Sequence, residues 1–262
     1  MMRMPFHLSE VLVALAIFVG SAVSAISAVK LVVWGTEDQR DFTACLIAEI
    51  SRNPNEYIVL ERELLERVVA EAGLQAQGVT LAKSMEVGRL SGASGVLWVE
   101  GGNIGGRQVV ITRLCAAASG VVVGWQIDDG PLPDPEGWSR IMAKRVASWR
   151  PPEARIPRAR AVPLSIIDIR GAADSEKSDQ SAQTLRTLLG SRLTAKPELF
   201  VLERWRLEEL AWENVLGGNP FLEFWNGAWL LDGSVTDAGG QVELSMRLRA
   251  SGGNELRWTR RQ

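Results

Sequence analysis

The sequence predicts an α/β (α+β) fold: two tandem small domains, each a mixed β-sheet with helices packed on one side, after an N-terminal apolar helix. Three observations carry this. The tetrad Val59-Leu60-Glu61-Arg62 returns as Val201-Leu202-Glu203-Arg204. In both places a short apolar run, Tyr57 to Leu60 or Leu199 to Leu202, passes into a charged, helix-favouring stretch, as a buried strand entering a helix does. The elements around the tetrad also follow one order in both halves. A chain of 262 residues is long enough for two domains of roughly 100 residues, each with its own core. The expected boundaries are residues 1–28 (signal peptide or anchor), 29–150 (first domain), 151–162 (linker) and 163–262 (second, diverged domain).

The N-terminal segment has Arg3 in a short polar start, the apolar run Val11 to Val19, and then small residues around Val23-Ser24-Ala25. That layout is expected of a secretory signal peptide. An uncleaved anchor is the alternative, because no charge interrupts Glu10 to Lys30 and ~20 apolar residues span a bilayer. No Cys follows the run, so a lipidated N-terminus is not expected.

In the first domain, Leu31-Val32-Val33-Trp34 reads as a buried strand. Asp38 to Ser51 reads as a helix with Phe42, Leu46 and Ile50 on one face. Pro54-Asn55 ends it and Tyr57 to Leu60 is the next strand. Arg62 to Ala72 is a helix with Leu64, Leu65, Val68 and Val69 on its stripe and Gly73 at its stop. A third helix is expected over Leu81 to Leu90. Gly95–Glu100, Arg107–Cys115 and Val121–Ile127 then form an antiparallel meander. Gly130 to Pro163 holds seven prolines around an amphipathic helix, Glu136 to Trp149, and its tail carries Arg150, Arg155, Arg158 and Arg160. Such a tract reads as a semi-rigid, solvated spacer.

The second domain repeats the series: strand Leu164–Ile169, helix Asp179–Leu193, strand Leu199–Glu203 and helix Trp205–Leu216. Gly227-Ala228 leads into Leu230-Leu231 as Gly92-Ala93 led into Val96-Leu97. From Val242 to Ala250 apolar and polar residues alternate, as on a sheet packed on one face and wet on the other. A counterpart to the closing helix Glu136 to Trp149 is missing.

Composition narrows the chemistry. The only histidine is His7, inside the targeting segment. Without that segment no imidazole is present for a Ser-His-Asp or Cys-His arrangement or a His-containing metal site, and two cysteines cannot build structural zinc. No cofactor or metal is assigned. A net charge of −2 gives no basic field for nucleic acid.

Val59-Leu60-Glu61-Arg62, Leu65, Glu71, Gly73-Leu74, Gly78, Gly88-Arg89-Leu90, Gly92-Ala93 and Gly101 form a pattern over roughly 100 residues. It resembles the curli-secretion CsgG-like family and the related N-terminal domain of TolB-type and penicillin-binding-protein-activator proteins. The second domain keeps Val201, Glu203-Arg204, Glu213, Gly227-Ala228 and Gly233-Ser234. The resemblance implies two such domains in a periplasmic or envelope protein that binds other proteins without catalysis, in outer-membrane assembly or secretion. The chain lacks the lipid-anchoring Cys and the long inserted hairpins of pore-forming members, so a pore is not expected. Membrane contact is expected only through an uncleaved N-terminal segment. The alternatives are a subunit of a ring-forming transport complex and a hydrolase using acidic residues only.

Four features are candidates for more than structure. Gly101-Gly102-Asn103-Ile104-Gly105-Gly106 is expected to be a hairpin turn, since strand and not helix follows it. Cys45 and Cys115 either pair in an oxidising compartment or stay as buried thiols. Glu61-Arg62 and Glu203-Arg204 read as helix-start charges, and no catalytic residue is assigned. Trp205 and Trp212 fall together, opposite the Leu207, Leu210, Ala211 and Val215 stripe of their helix. They either pack on the other domain and linker or offer an aromatic surface to a partner.

Overall fold

The computed structural model describes residues 28–60, 62–71, 80–130, 134–151, 154, 156–171, 176–202, 227–238, 241–250 and 253–261. The N-terminal segment and the helix expected over Trp205 to Leu216 lie outside them.

The first sheet contains β1 (Val29–Gly35), β2 (Tyr57–Val59), β3 (Gly95–Ile104), β4 (Arg107–Ala116) and β5 (Val122–Asp128), in the order β2-β1-β3-β4-β5. β1 is parallel to β2 and β3, and β3, β4 and β5 are antiparallel. The second sheet contains β6 (Val162–Gly171), β7 (Leu199–Leu202), β8 (Trp229–Ala238), β9 (Gln241–Arg249) and β10 (Glu255–Arg261), in the order β10-β9-β8-β6-β7. Its pairings repeat those of the first: β6 is parallel to β7 and β8, and β8, β9 and β10 are antiparallel. One topology is therefore built twice. The two sheets meet at the bridge between Val121 and Leu202.

Local chemistry sets the element ends. α1 (Arg40–Ser51) follows a single 3-10 turn, and α2 (Arg62–Glu71) follows β2 directly. α3 (Leu81–Leu90) starts at Thr80, whose side chain accepts from the Lys83 amide. It stops at Gly92, where φ is +68° and the Ala93 amide reaches back to the Gly88 carbonyl. α4 (Pro135–Ser148) starts at Asp134, which accepts from the Gly137 amide at 2.7 Å, with Pro135 at the first helical position. Gly105 and Gly106 both have positive φ and turn β3 into β4 in two residues, so the glycine-rich stretch is a hairpin, as expected.

The expectation of helices on one side of each sheet is corrected for the first sheet, which is covered on both faces. α1 and α4 bury Leu46, Ile50, Trp138, Met142 and Val146 against Leu31, Val33, Leu97, Val110 and Val123. α2 and α3 bury Leu65, Val69, Leu81 and Met85 against Val32, Val96, Trp98 and Cys115 on the other. The cause is topological. β2 and β3 flank β1 on opposite sides, so two right-handed crossovers must pass over opposite faces.

α5 (Glu176–Thr194) is longer than the Asp179 to Leu193 expected. It lies between the sheets. Ala182, Leu185 and Leu189 pack on its own sheet with Ile169, Val235, Leu244 and Met246. Leu193, together with Leu199 and Val201 of β7, joins the core under the first sheet. The linker is more than a spacer, because Ile156 and Ala161 pack on Val121, Phe200, Leu202 and Ala228.

Candidate functional site

Strand pairing fixes which residues share a face of the second sheet. Ile169, Gly233, Met246 and Trp258 form one row across β6, β8, β9 and β10. Ile166, Leu231, Leu248 and Leu256 form the next row in the same direction. Ile166 and Ile169 belong to the core beneath α5, so both rows point to the α5 face. The helix packs on β6, β7 and β8 and reaches Leu244 and Met246 of β9; among the described residues its cover stops short of β10. At the far end of the rows Leu256 is 63% exposed and Trp258 49%, with Val242 on β9 at 39%. These three large side chains make an apolar strip along the last two strands.

The first sheet shows what such a strip looks like when covered. On the α1 face of β4 and β5, α4 lays Trp138, Met142 and Val146 over Val110, Leu114 and Val123. α4 is held there by Trp138 Nε1 donating to Asp128 Oδ2 at 2.9 Å and by Arg145 pairing with Asp128 at 3.4 Å. The corresponding strands of the second sheet carry apolar residues on the equivalent face, and among the described residues no helix lies over them there.

The opposite face of β8, β9 and β10 is charged. Asp232 accepts from Arg247 at 2.8 Å and Arg249 at 2.9 Å. Glu255 pairs with Arg257, Asp168 with Arg170, and Ser245 lies 3.4 Å from Thr259. The Asp232 hydrogen bond and charge raise the Arg247 pKa further above its ordinary value. The alternation read from Val242 to Ala250 is thus real, and it continues into β10, where Leu256 and Trp258 are the apolar members. Sequence reading missed those two as site residues. The available signal was the period-two pattern of Glu255 to Thr259, with Leu256 and Trp258 between polar neighbours.

Between the sheets lies a second polar group, and it is structural. Glu100 on β3 accepts from Trp98 Nε1 at 2.9 Å and from Arg113 at 2.6 Å. The Arg113 guanidinium stands 4.8 Å from the centre of the Trp125 ring, a cation–π distance. α5 passes beneath Trp125 at Gly190. These residues seat the second sheet on the first.

Of the residues singled out in the sequence, Trp205 and Trp212 lie outside the described residues. Cys45 and Cys115 are not joined by a disulfide. Cys45 is half-buried on α1, on one side of the first sheet, and Cys115 is buried in the core on the other. Arg150 donates to the carbonyls of Ala147 and Trp149 at the end of α4, and Arg158 to Arg160 form a 3-10 turn. Arg62 opens α2. Among the described residues no group of three His, Cys, Asp or Glu is placed to hold a metal ion, and no helix is long and apolar enough to cross a membrane.

No protein-family model matches the sequence, and no curated protein matches it. The resemblance to CsgG-like and TolB-type domains therefore rests on the sequence motifs alone. Among solved structures, the chain is similar to the LpoB C-terminal domain from Escherichia coli, with 15% identity and a TM-score of 0.35. That match covers 45% of this chain and 93% of the other. It is also similar to the same domain from Salmonella enterica, with 18% identity and a TM-score of 0.34, over 45% of this chain and 91% of that one. Both matches span less than half of this chain.

Proposed function

We propose that this chain is a non-catalytic protein-binding module of the bacterial cell envelope, and that the apolar strip on β9 and β10 is a surface on which it holds a protein. One observation carries the reading: Leu256 and Trp258 stand side by side on one face, both largely open. Large aromatic and aliphatic residues grouped on a sheet face are the usual anchors of protein contacts. The envelope location draws on the signal-like N-terminus, and a role in assembly or secretion draws on the motifs around Val59 to Gly101. The net charge of −2 speaks against nucleic acid. A hydrolase using acidic residues fits less well, because the carboxylates of Glu100, Asp128, Asp168 and Asp232 are each engaged by an arginine. Trp205 and Trp212 stand as a second candidate contact.

The test is photo-crosslinking in intact cells. A photoreactive amino acid is placed at position 258, at 205 and 212, and at the charged-face position 170. The expected result is a protein adduct from 258 and none from 170. Adducts from 205 or 212 alone would move the contact to that pair, and no adduct from any of the first three positions would overturn the proposal.

A further inference from the structure

Among the described residues β10 is the last strand of its sheet, paired with β9 on one side. The other sheet margins are limited by comparison. β2 is three residues long, and the β5 and β7 edges meet at the Val121–Leu202 bridge. β10 offers seven residues, Glu255 to Arg261, with no proline, and Glu255, Arg257 and Arg260 are charged. The backbone groups of an edge strand act as a template for another strand, and the charges along it restrict the registers in which that strand can pair.

We propose that two copies of this chain pair β10 with β10, antiparallel about a two-fold axis through Trp258, so that two five-stranded sheets become one of ten strands. The inference rests on reading the β9–β10 strip as a contact surface, and it names the occupant as a second copy. Keeping both apolar strips on one side of the joined sheet requires that a residue on the axis face itself. Trp258 is the midpoint of β10, so centring there pairs all seven residues. Trp258 then faces Trp258, Leu256 faces Arg260 and Arg257 faces Thr259.

Neighbouring registers are worse by charge or length. Centring on Arg257 opposes it to itself, and centring on Thr259 sets Trp258 against Arg260 and leaves residues 255 and 256 unpaired. Like charges directly opposite destabilise a strand pair. Centring on Leu256 opposes Glu255 to Arg257 but brings only three strand residues of each copy into register. The Trp258 register pairs the full length of the strand and sets Arg257 against uncharged Thr259. It also joins the Met246–Trp258 row of one copy to that of the other, so one apolar row runs across the joined sheet with a Leu256–Arg260 pair on either side.

Sedimentation velocity on the full chain over a concentration series tests this. The wild type is expected to show a monomer–dimer equilibrium. Thr259→Arg sets two arginines opposite each other at two places and is expected to weaken dimerisation by about tenfold or more. Within one copy residue 259 faces uncharged Ser245, so its melting temperature should hold. Adding Arg257→Glu to Thr259→Arg is expected to restore the dimer, because glutamate and arginine then face each other across the axis.

A dimer indifferent to Thr259→Arg, or one that Arg257→Glu fails to restore, would overturn the register. A wild type that stays monomeric would overturn self-pairing. The crosslinks at position 258 then separate the two ideas: adducts to a different protein would leave the contact-surface reading standing, and no adducts would remove both.

Discussion

Gly190 on α5 lies directly under the indole of Trp125 on β5: a Cβ built at Gly190 would come within 2.3 Å of the ring. This contact joins the two sheets. A glycine inside a helix costs up to about 1 kcal/mol relative to alanine, and here it allows the helix axis to approach the first sheet closely. Gly190→Ala is expected to lower stability by about 1–3 kcal/mol despite its better helix propensity, because overpacking exceeds the propensity gain. Chemical denaturation measures this. An equal or more stable variant would show that α5 does not seat on Trp125.

The Glu100–Arg113 pair lies in the same interface, with Trp98 as the second donor to the carboxylate. Arg113 and Glu100 keep only 13% and 26% of their side-chain surface exposed, so removing one partner leaves a partly desolvated charge. Arg113→Met is expected to cost about 3 kcal/mol, and Glu100→Gln with Arg113→Met much less than the sum of the two single changes. A double-mutant cycle by urea unfolding checks the coupling; strictly additive effects would mean that the pair does not act as a unit.

Tyr57 is the only tyrosine, and its hydroxyl donates to the Val146 carbonyl at 3.3 Å, joining β2 to the end of α4. Burial raises its pKa above 10.0, with the Glu56 charge adding to the effect and Arg150 opposing it. A raised pKa in the folded state contributes stability that is complete below the unfolded value. That stability is lost as pH rises through the folded value, because the folded protein holds the proton longer. The tyrosinate absorbance should therefore titrate above pH 10 in the native protein and near pH 10 in urea. Tyr57→Phe should flatten the alkaline fall in melting temperature. A native midpoint at or below the unfolded one would contradict the buried position of the ring.

The duplication was legible because each half states it locally. Val59 to Arg62 and Val201 to Leu202 are strand ends with nearby, sequence-contiguous signals, and period-two alternation from Val242 onward marks one dry and one wet face. Helix limits were also close, since Thr80, Asp134 and Gly92 are caps whose effect reaches only a few residues. The candidate surface was less legible. Leu256 and Trp258 look in sequence like ordinary inward residues of a strand, and nothing local says whether a helix lies over them. The two cysteines were equally ambiguous until the sheet was seen to lie between them.

The sequence by itself determined the succession of strands along the chain and which side of each strand is apolar, because backbone propensity and side-chain period act over a few residues. Tertiary structure alone decided that α5 serves both sheets, that Gly190 meets Trp125, and that α5 itself stops short of β10. Those are contacts between residues far apart in the chain. Their outcome depends on how volumes fit once the sheets have formed, which no short stretch of sequence encodes.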